Sequence, residues 1–535
     1  MVADGNYWGE PTNTELANGV SNLTRIYDLR DGASKQVQIG NWYASSFESG
    51  NPGTRINFTY GVSNVTKIVH GLIDTDQVWD GRILVVGDLT VSASLSIQQG
   101  TEVILVAQND TQTGGNDTSR TEIILDGGTL TAAGTAAEPI TFTSSRSPKT
   151  AGDWYGIRIK GGDVTLQNCV IEYAAEGIRF EDTDTRFETY ALSDTTVRYC
   201  TGYGIWTTSG QYAQPVVLDN FTVLGNSTGV RAEGPVTMTG GEVRQNTSTG
   251  VYAYQTTLVM NGVAIRYNSG DGIVANRTAT TITGCTASQN NGWGINCDGY
   301  GYYGDSGTAQ LEDNVVQQNG GGVRIYRWIS AGLVGNTISG NSGTGLELQN
   351  LSGVSASGIT GNSIYDNGGV GVLIRSGGPS VLTLSGNDIY NNTGFELRNE
   401  SSCTVVADGN YWGEPTNTEL ANGVSNLTRI YDLRDGASRA VMLTDWYVAS
   451  VTGGSPGPLQ SYNYPIPSVT QTVAGAIAGA DTWSGKVLVI GDVTVTGSLT
   501  IEPGTEVVFE YLHDTQTAGT DTSRSELILD GGTLT

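Results

Sequence analysis

The sequence predicts an all-β fold, a right-handed parallel β-helix (β-solenoid) with a short capping α-helix in each 404-residue tandem unit. Three observations predict it. A Gly followed by alternating apolar positions recurs at intervals of about 20 to 28 residues. An Asn precedes most of these runs. Residues 2–34 also reappear unchanged as 406–438, and the same 404-residue offset matches Trp42 with Trp446 and Trp79 with Trp483.

The short period defines the coil. Runs open at Gly156, Gly177, Gly204, Gly229, Gly250 and Gly272, then at Gly294, Gly322, Gly345, Gly371 and Gly394. Alternation with period two means half-buried strands. Strands this short cannot each bury a face alone. Stacked turns of chain solve the problem, because each strand pairs with its copy about 4.8 Å away in the next coil. The Asn column then comprises Asn226, Asn246, Asn268, Asn290, Asn319, Asn341, Asn367 and Asn392. At a shared bend, each amide can bond the Asn above and below and so satisfy buried polar groups. Parallel crossovers favour the right hand. A β-sandwich array, the rival fold, needs antiparallel hairpins with tight turns and gives the Asn column no role.

The long period defines the organisation. Residues 1–45 read as the C-terminal cap of a preceding unit and 46–78 as a Pro- and Gly-containing linker. The β-helix is expected over 79–405, a second cap over 406–449 and a second linker over 450–482. Residues 483–535 read as the first coils of another unit. In the caps, Thr12 with Glu15 and Thr416 with Glu419 have capping-box spacing. Leu16, Val20 and Leu23 predict one apolar stripe of a short helix laid over the open coil edge.

Bulk composition narrows the function classes. Gly at 75 residues and charged residues at 15% favour strands and turns over helices. A net charge of -26 without a basic tract argues against a nucleic-acid partner. Five scattered Cys suit apolar packing better than a disulfide framework or zinc site, with Cys285 and Cys297 the one pair close in sequence. No apolar run is long enough for a membrane span. No export signal follows Met1, so a secretion signal is expected outside this stretch.

Several stretches resemble secreted bacterial and archaeal right-handed parallel β-helix proteins of the pectin-lyase-like class. They are the run from Gly491 through Ile501 to Thr505, Pro139 to Ser144, Gly152 to Gly156, and the Gly-Asn-Tyr-Trp-Gly motif at 409–413 followed by Ile430-Tyr-Asp432. The resemblance implies that the 409–413 motif closes the C-terminal end of the helix. It also implies an extracellular or cell-surface setting. It does not imply one activity, because the scaffold hosts lyases, hydrolases, adhesins and inert spacers. Lyases of the class use carboxylates holding calcium with an Arg or Lys base, and hydrolases use clustered Asp with a His between glycines. Here the only histidines are His70 and His513, neither flanked by glycines on both sides.

Two candidate sites remain. Two residues after each repeat Gly lies an outward position, occupied by Arg158, Arg179, Trp206, Arg231, Tyr252 and Arg324 among others. Arg beside aromatic rings suits an acidic glycan, although long side chains also simply cover strands. The loop with Asp110 and Asp117, and its counterpart with Asp514 and Asp521, offers carboxylates that suit Ca²⁺. Asx-turns or pairing with Arg120 and Arg524 are the alternative. The expected function is a non-catalytic structural protein, a rigid extended extracellular or cell-surface fibre of tandem β-helix units, with further copies of itself as end-to-end partners. A carbohydrate-binding module comes second. A polysaccharide lyase or hydrolase comes third.

Overall fold

A computed structural model describes residues 3, 5–18, 20, 23–27, 31, 37, 39, 41–46, 55–57, 59–110, 115–181, 188–208, 214–299, 307–327, 329–462, 466, 468–510, 518–521 and 524–535. The chain forms two compact units, Met1–Gly270 and Asp271–Thr535. Both are right-handed parallel β-helix built from short strands, as the repeat predicts.

In the first unit three apolar columns run through successive coils. Ile157, Ile178, Ile205, Val230 and Val251 are consecutive parallel partners. Leu166, Leu192, Leu218, Met238 and Met260 form the second column. Ile171, Val197, Val223, Val243 and Ile265 form the third. All fifteen side chains are at most 1% exposed, so each coil closes a slice of one core. In the second unit the columns are Ile273 to Leu397, Ile282 to Ile359 and Ala287 to Ile389.

The bends repeat as faithfully as the strands. A residue in the left-handed region precedes each core Asn, as with Gln245 (φ 56°), Tyr267 (57°), Gln289 (56°), Gln318 (58°) and Asn391 (57°). That conformation swings the following Asn inward. Asn226 Nδ2 donates to Asn246 Oδ1 at 3.3 Å, and Asn246 Nδ2 to Asn268 Oδ1 at 2.9 Å. In the second unit the ladder runs Asn290, Asn319, Asn341, Asn367 and Asn392, with amide-to-amide distances of 2.9 to 3.1 Å. Within each run, every Asn after the first also accepts through Oδ1 the backbone N–H of the Asn one coil earlier, as Asn367 Oδ1 does from Asn341 at 3.2 Å.

A second ladder was not anticipated. It runs Asn314, Asn336, Asn362, Asn387 and Asn410, again with amide-to-amide contacts of 2.9 to 3.2 Å and all at most 2% exposed. Its first four members lie five residues before Asn319, Asn341, Asn367 and Asn392 of the first ladder. The motif at 409–413 supplies the last rung.

The unit boundaries differ from the expected ones in two places. Strand Lys67–Ile73 already pairs with Arg82–Val91, and Gln471–Ile477 with Lys486–Val495, so coil pairing begins inside both expected linkers. These opening strands cover the edge with one face only and lack the Gly and Asn signature. Each expected linker also holds a strand that pairs antiparallel with one in the cap before it, Arg55–Asn57 with Asn41–Tyr43 and Leu459–Ser461 with Asp445–Tyr447.

The cap helices are only Thr12–Ala17 and Thr416–Ala421, and neither has a side-chain N-cap bond. The expected capping boxes are therefore not made. Glu15 and Glu419 instead accept from the hydroxyls of Thr24 and Thr428 at 2.6 and 2.7 Å, pinning the chain that follows each helix. Val20 lies beyond the helix and is 37% exposed, while Leu16 and Leu23 are buried.

Candidate functional site

Parallel register places the outward residues in one column. Arg158, Arg179, Trp206, Arg231 and Tyr252 are successive partners in the first unit. In the second unit Val274, Asn296, Arg324, Glu347, Leu373 and Arg398 follow one another.

Arg158 does not face solvent. It is 3% exposed, with Nη1 2.7 Å from Glu122 and Nη2 2.6 Å from Glu181. Glu122 is itself fully buried and belongs to the preceding coil, while Glu181 directly follows strand Ile178–Phe180 of the next one. The residue expected at the head of a glycan platform is thus the centre of a buried ion triad. Burial alone would favour the neutral guanidine; hydrogen bonds and charge from Glu181 and Glu122 outweigh it and hold Arg158 protonated. A group held this way is poorly suited to accept a proton.

The next positions are half-buried and interlocked. The Arg179 guanidinium lies 3.7 Å from the Trp206 ring centroid and pairs with Glu181 at 2.9 Å. Trp206 donates its indole N–H to Glu233 at 3.2 Å. Arg231 donates to the Tyr203 hydroxyl at 2.7 Å, pairs with Glu233, and lies 5.7 Å from the Tyr252 ring. Arg324 sits 4.3 Å from the Tyr326 ring and 3.3 Å from Glu347. Arg158, Arg179 and Arg231 face Glu122, Glu176, Glu181 and Glu233, four carboxylates against three cations. The cations that an acidic sugar would need are already neutralised by the protein's own groups. The rings of Trp206 and Tyr252 remain part-exposed at the surface.

Of the calcium candidates, Asp110, Asp117 and Asp521 are among the described residues. Asp117 accepts from Ser119 N and Oγ at 2.8 and 2.7 Å and pairs with Arg120 at 3.4 Å. Asp521 pairs with Arg524 at 2.8 Å, and Asp514 lies outside the described residues. Among the described residues no group of three or more His, Cys, Asp and Glu could hold a metal ion. The described residues after each loop bond buried acids. Gly115 N and Glu122 N donate to Asp88 at 2.8 and 2.9 Å, and Gly519 N and Glu526 N donate to Asp492 in the same pattern at 2.6 and 2.7 Å.

Burial, with the charge of Asp110, pushes the Asp88 carboxyl up to about 8 against those N–H donors. A raised acid holds its proton in the folded state, so its stabilising contribution is complete below about pH 4. That contribution is lost as pH rises toward about 8. Asp88→Asn should therefore flatten the pH dependence of stability across that window. Thermal melts of both proteins at several pH values check it, and parallel slopes would contradict it.

All five Cys are free and buried. Burial pushes Cys169, Cys200 and Cys297 up to about 12, which removes them as nucleophiles at neutral pH. His70 is exposed on the opening strand Lys67–Ile73, and His513 lies outside the described residues. No described helix is long and apolar enough to cross a membrane.

Comparison with known proteins adds the following. The family described as "Right handed beta helix region" matches residues 155–303 and 249–411, and "Pectate-lyase like beta helix domain" matches 83–176. No curated protein matches. Among solved structures, the mannuronan C-5 epimerase AlgE6 A-module of Azotobacter vinelandii is 14% identical, over 84% of this chain and 91% of that one, with a TM-score of 0.18. ORF18 of Geobacillus virus E2 is 13% identical over 63% of this chain and 50% of that one, with a TM-score of 0.13. Overlaps this slight bear on neither activity nor substrate.

Proposed function

We propose that this chain, which belongs to the right-handed parallel β-helix family with its pectate-lyase-like domain, is a non-catalytic structural protein. In this reading tandem units build a stiff, extended extracellular or cell-surface fibre. The supporting observation is the repeat itself: 33 residues of the closing segment, 2–34 and 406–438, are identical between copies. Reach grows with each added unit, whereas a catalyst needs only one good site. The internally neutralised Arg column agrees with a face built for cohesion. Negative-stain microscopy of native material tests the reading. Long thin rods with a regularly spaced feature are expected, and compact single particles would refute it.

Carbohydrate binding is the second reading, favoured by the part-exposed rings of Trp206 and Tyr252 flanking Arg231. Sugar stacking on those rings predicts that Arg231→Ala with Tyr252→Ala loses at least about tenfold in affinity on a glycan array, a loss of roughly 1.4 kcal/mol. Equal binding by both proteins, or none by the parent, removes it. For a lyase, incubation with polygalacturonate or alginate would release unsaturated product absorbing in the ultraviolet; the fibre reading expects none.

A further inference from the structure

A strand near the start of each β-helix is buried on both of its faces. In Arg82–Val91, alternation turns Ile83 and Val85 inward and Leu84 and Val86 outward, yet Leu84 is 0% and Val86 8% exposed. Leu84 is followed along the stack by Ile104 and then by Thr143. The preceding cap covers the outward pair. Leu84 and Val86 share one apolar cluster with Leu16, Leu23 and Trp42 of the cap and with Val106 of the next coil.

The second joint repeats the pattern and adds charge. Val487 and Val489 pack with Trp483 inside the new solenoid. Leu488 and Ile490, the counterparts of Leu84 and Val86, face the other way and are 0% and 3% exposed. Arg434 of the cap reaches across, with one nitrogen 3.1 Å from Asp432 and the other 3.7 Å from the buried Glu510 of the opening coils. Glu510 stands where the first joint has Val106. Tyr462, in the stretch between, is buried and donates its hydroxyl to the Val424 carbonyl of the cap. The same cap is also fastened backwards. Arg429 meets Glu396 of the last coils at 2.8 Å. The turn at 450–452 closes on the buried Asp388, whose carboxylate accepts Val451 N at 2.6 Å and the Ser450 hydroxyl at 2.5 Å.

We infer that the cap at 406–449 is a rigid coupling between consecutive β-helices. On one side it holds the last coils of the solenoid it closes. On the other it holds the outward face of the next solenoid's opening strand through Leu488, Ile490 and Glu510. The stretch 450–482 is then a strap laid along the coupling and not a hinge. Tandem domains joined only by a tether move independently unless a large apolar contact fixes them. Here the outward Leu and Ile supply that contact, because leaving the cap would return them to water. This inference rests on the fibre reading and names the contact that carries stiffness from one unit to the next.

The test uses the full chain with pairs of spin labels at exposed positions, the native Cys being buried. Thr418→Cys with Thr500→Cys spans the joint, and Thr281→Cys with Thr383→Cys lies within the β-helix as a reference. Pulsed dipolar spectroscopy should give the joint pair a distance distribution as narrow as the reference pair. A free tether of this length would spread it over roughly 30 Å. Leu488→Asp puts a charge into the contact and leaves the inward Val487 and Val489 in place; it should broaden the joint pair toward that spread and leave the reference narrow. Glu510→Lys, which sets a cation against Arg434, should broaden it as well. A joint pair already broad in the parent, or one that stays narrow in either variant, overturns the inference, and the parent result stands whether or not a variant folds. Rods in native material beside such a failure would leave a fibre of loosely hinged units. Compact single particles would remove the fibre reading itself.

Discussion

Asn362→Ala is expected to lower the stability of the second unit by about 4 kcal/mol, near the upper end for a single substitution. Asn362 Nδ2 donates to Leu333 O at 2.9 Å and Asn387 Oδ1 at 2.9 Å, while its own Oδ1 accepts from Asn336 N at 3.0 Å and Asn336 Nδ2 at 2.9 Å. Alanine leaves all four partner groups buried with a bond missing. Each costs about 1 to 3 kcal/mol, partly recovered by relaxation and by entry of water. The exposed Thr281→Ala should change stability by less than about 0.5 kcal/mol. Because a solenoid's stability is a sum of nearest-neighbour terms, the loss should concentrate in coils next to Asn362. Urea unfolding with hydrogen exchange at the Asn336 amide checks both size and place. A cost comparable to the Thr281 control would show that the ladder is incidental.

Arg158→Met is the second large effect, about 3 to 5 kcal/mol in the first unit, because it leaves the fully buried Glu122 without its cation. Glu122 Oε1 keeps the N–H groups of Asn116 and Asp117 at 2.8 and 2.6 Å, but its other oxygen loses Arg158. Adding Glu122→Gln should recover much of the loss, since a neutral pair avoids the stranded charge. Arg158→Lys should rescue poorly, because one ammonium cannot hold both Glu122 and the two oxygens of Glu181. Denaturant melts of the three variants decide it. A single variant as stable as the parent would mean that the triad is merely tolerated.

Much of this was legible in the sequence, for a definite reason. A stacked fold imposes one environment per position on every coil, so the apolar columns and the first Asn ladder appear as periodic letters. The second ladder is equally periodic, in Asn336-Thr-Ile, Asn362-Ser-Ile and Asn387-Asp-Ile, but it sits ahead of a strand rather than ahead of the repeat Gly that marks each coil. Arg158 misled because alternation gives only the direction of a side chain. Whether an outward residue meets water depends on what the next coils place over it, here Glu122 and Glu181. The opening strand Lys67–Ile73 was hidden because an edge strand needs only one apolar face. The capping-box letters misled because Glu15 found a stronger partner in Thr24 beyond the helix.

Fibre diffraction from aligned native material tests the structural role most directly. The account predicts a reflection near 4.8 Å along the fibre axis, from coils stacked along it. It also predicts a much longer axial repeat set by the 404-residue unit. Material that cannot be aligned, or a 4.8 Å spacing across the axis with no long repeat, would contradict it.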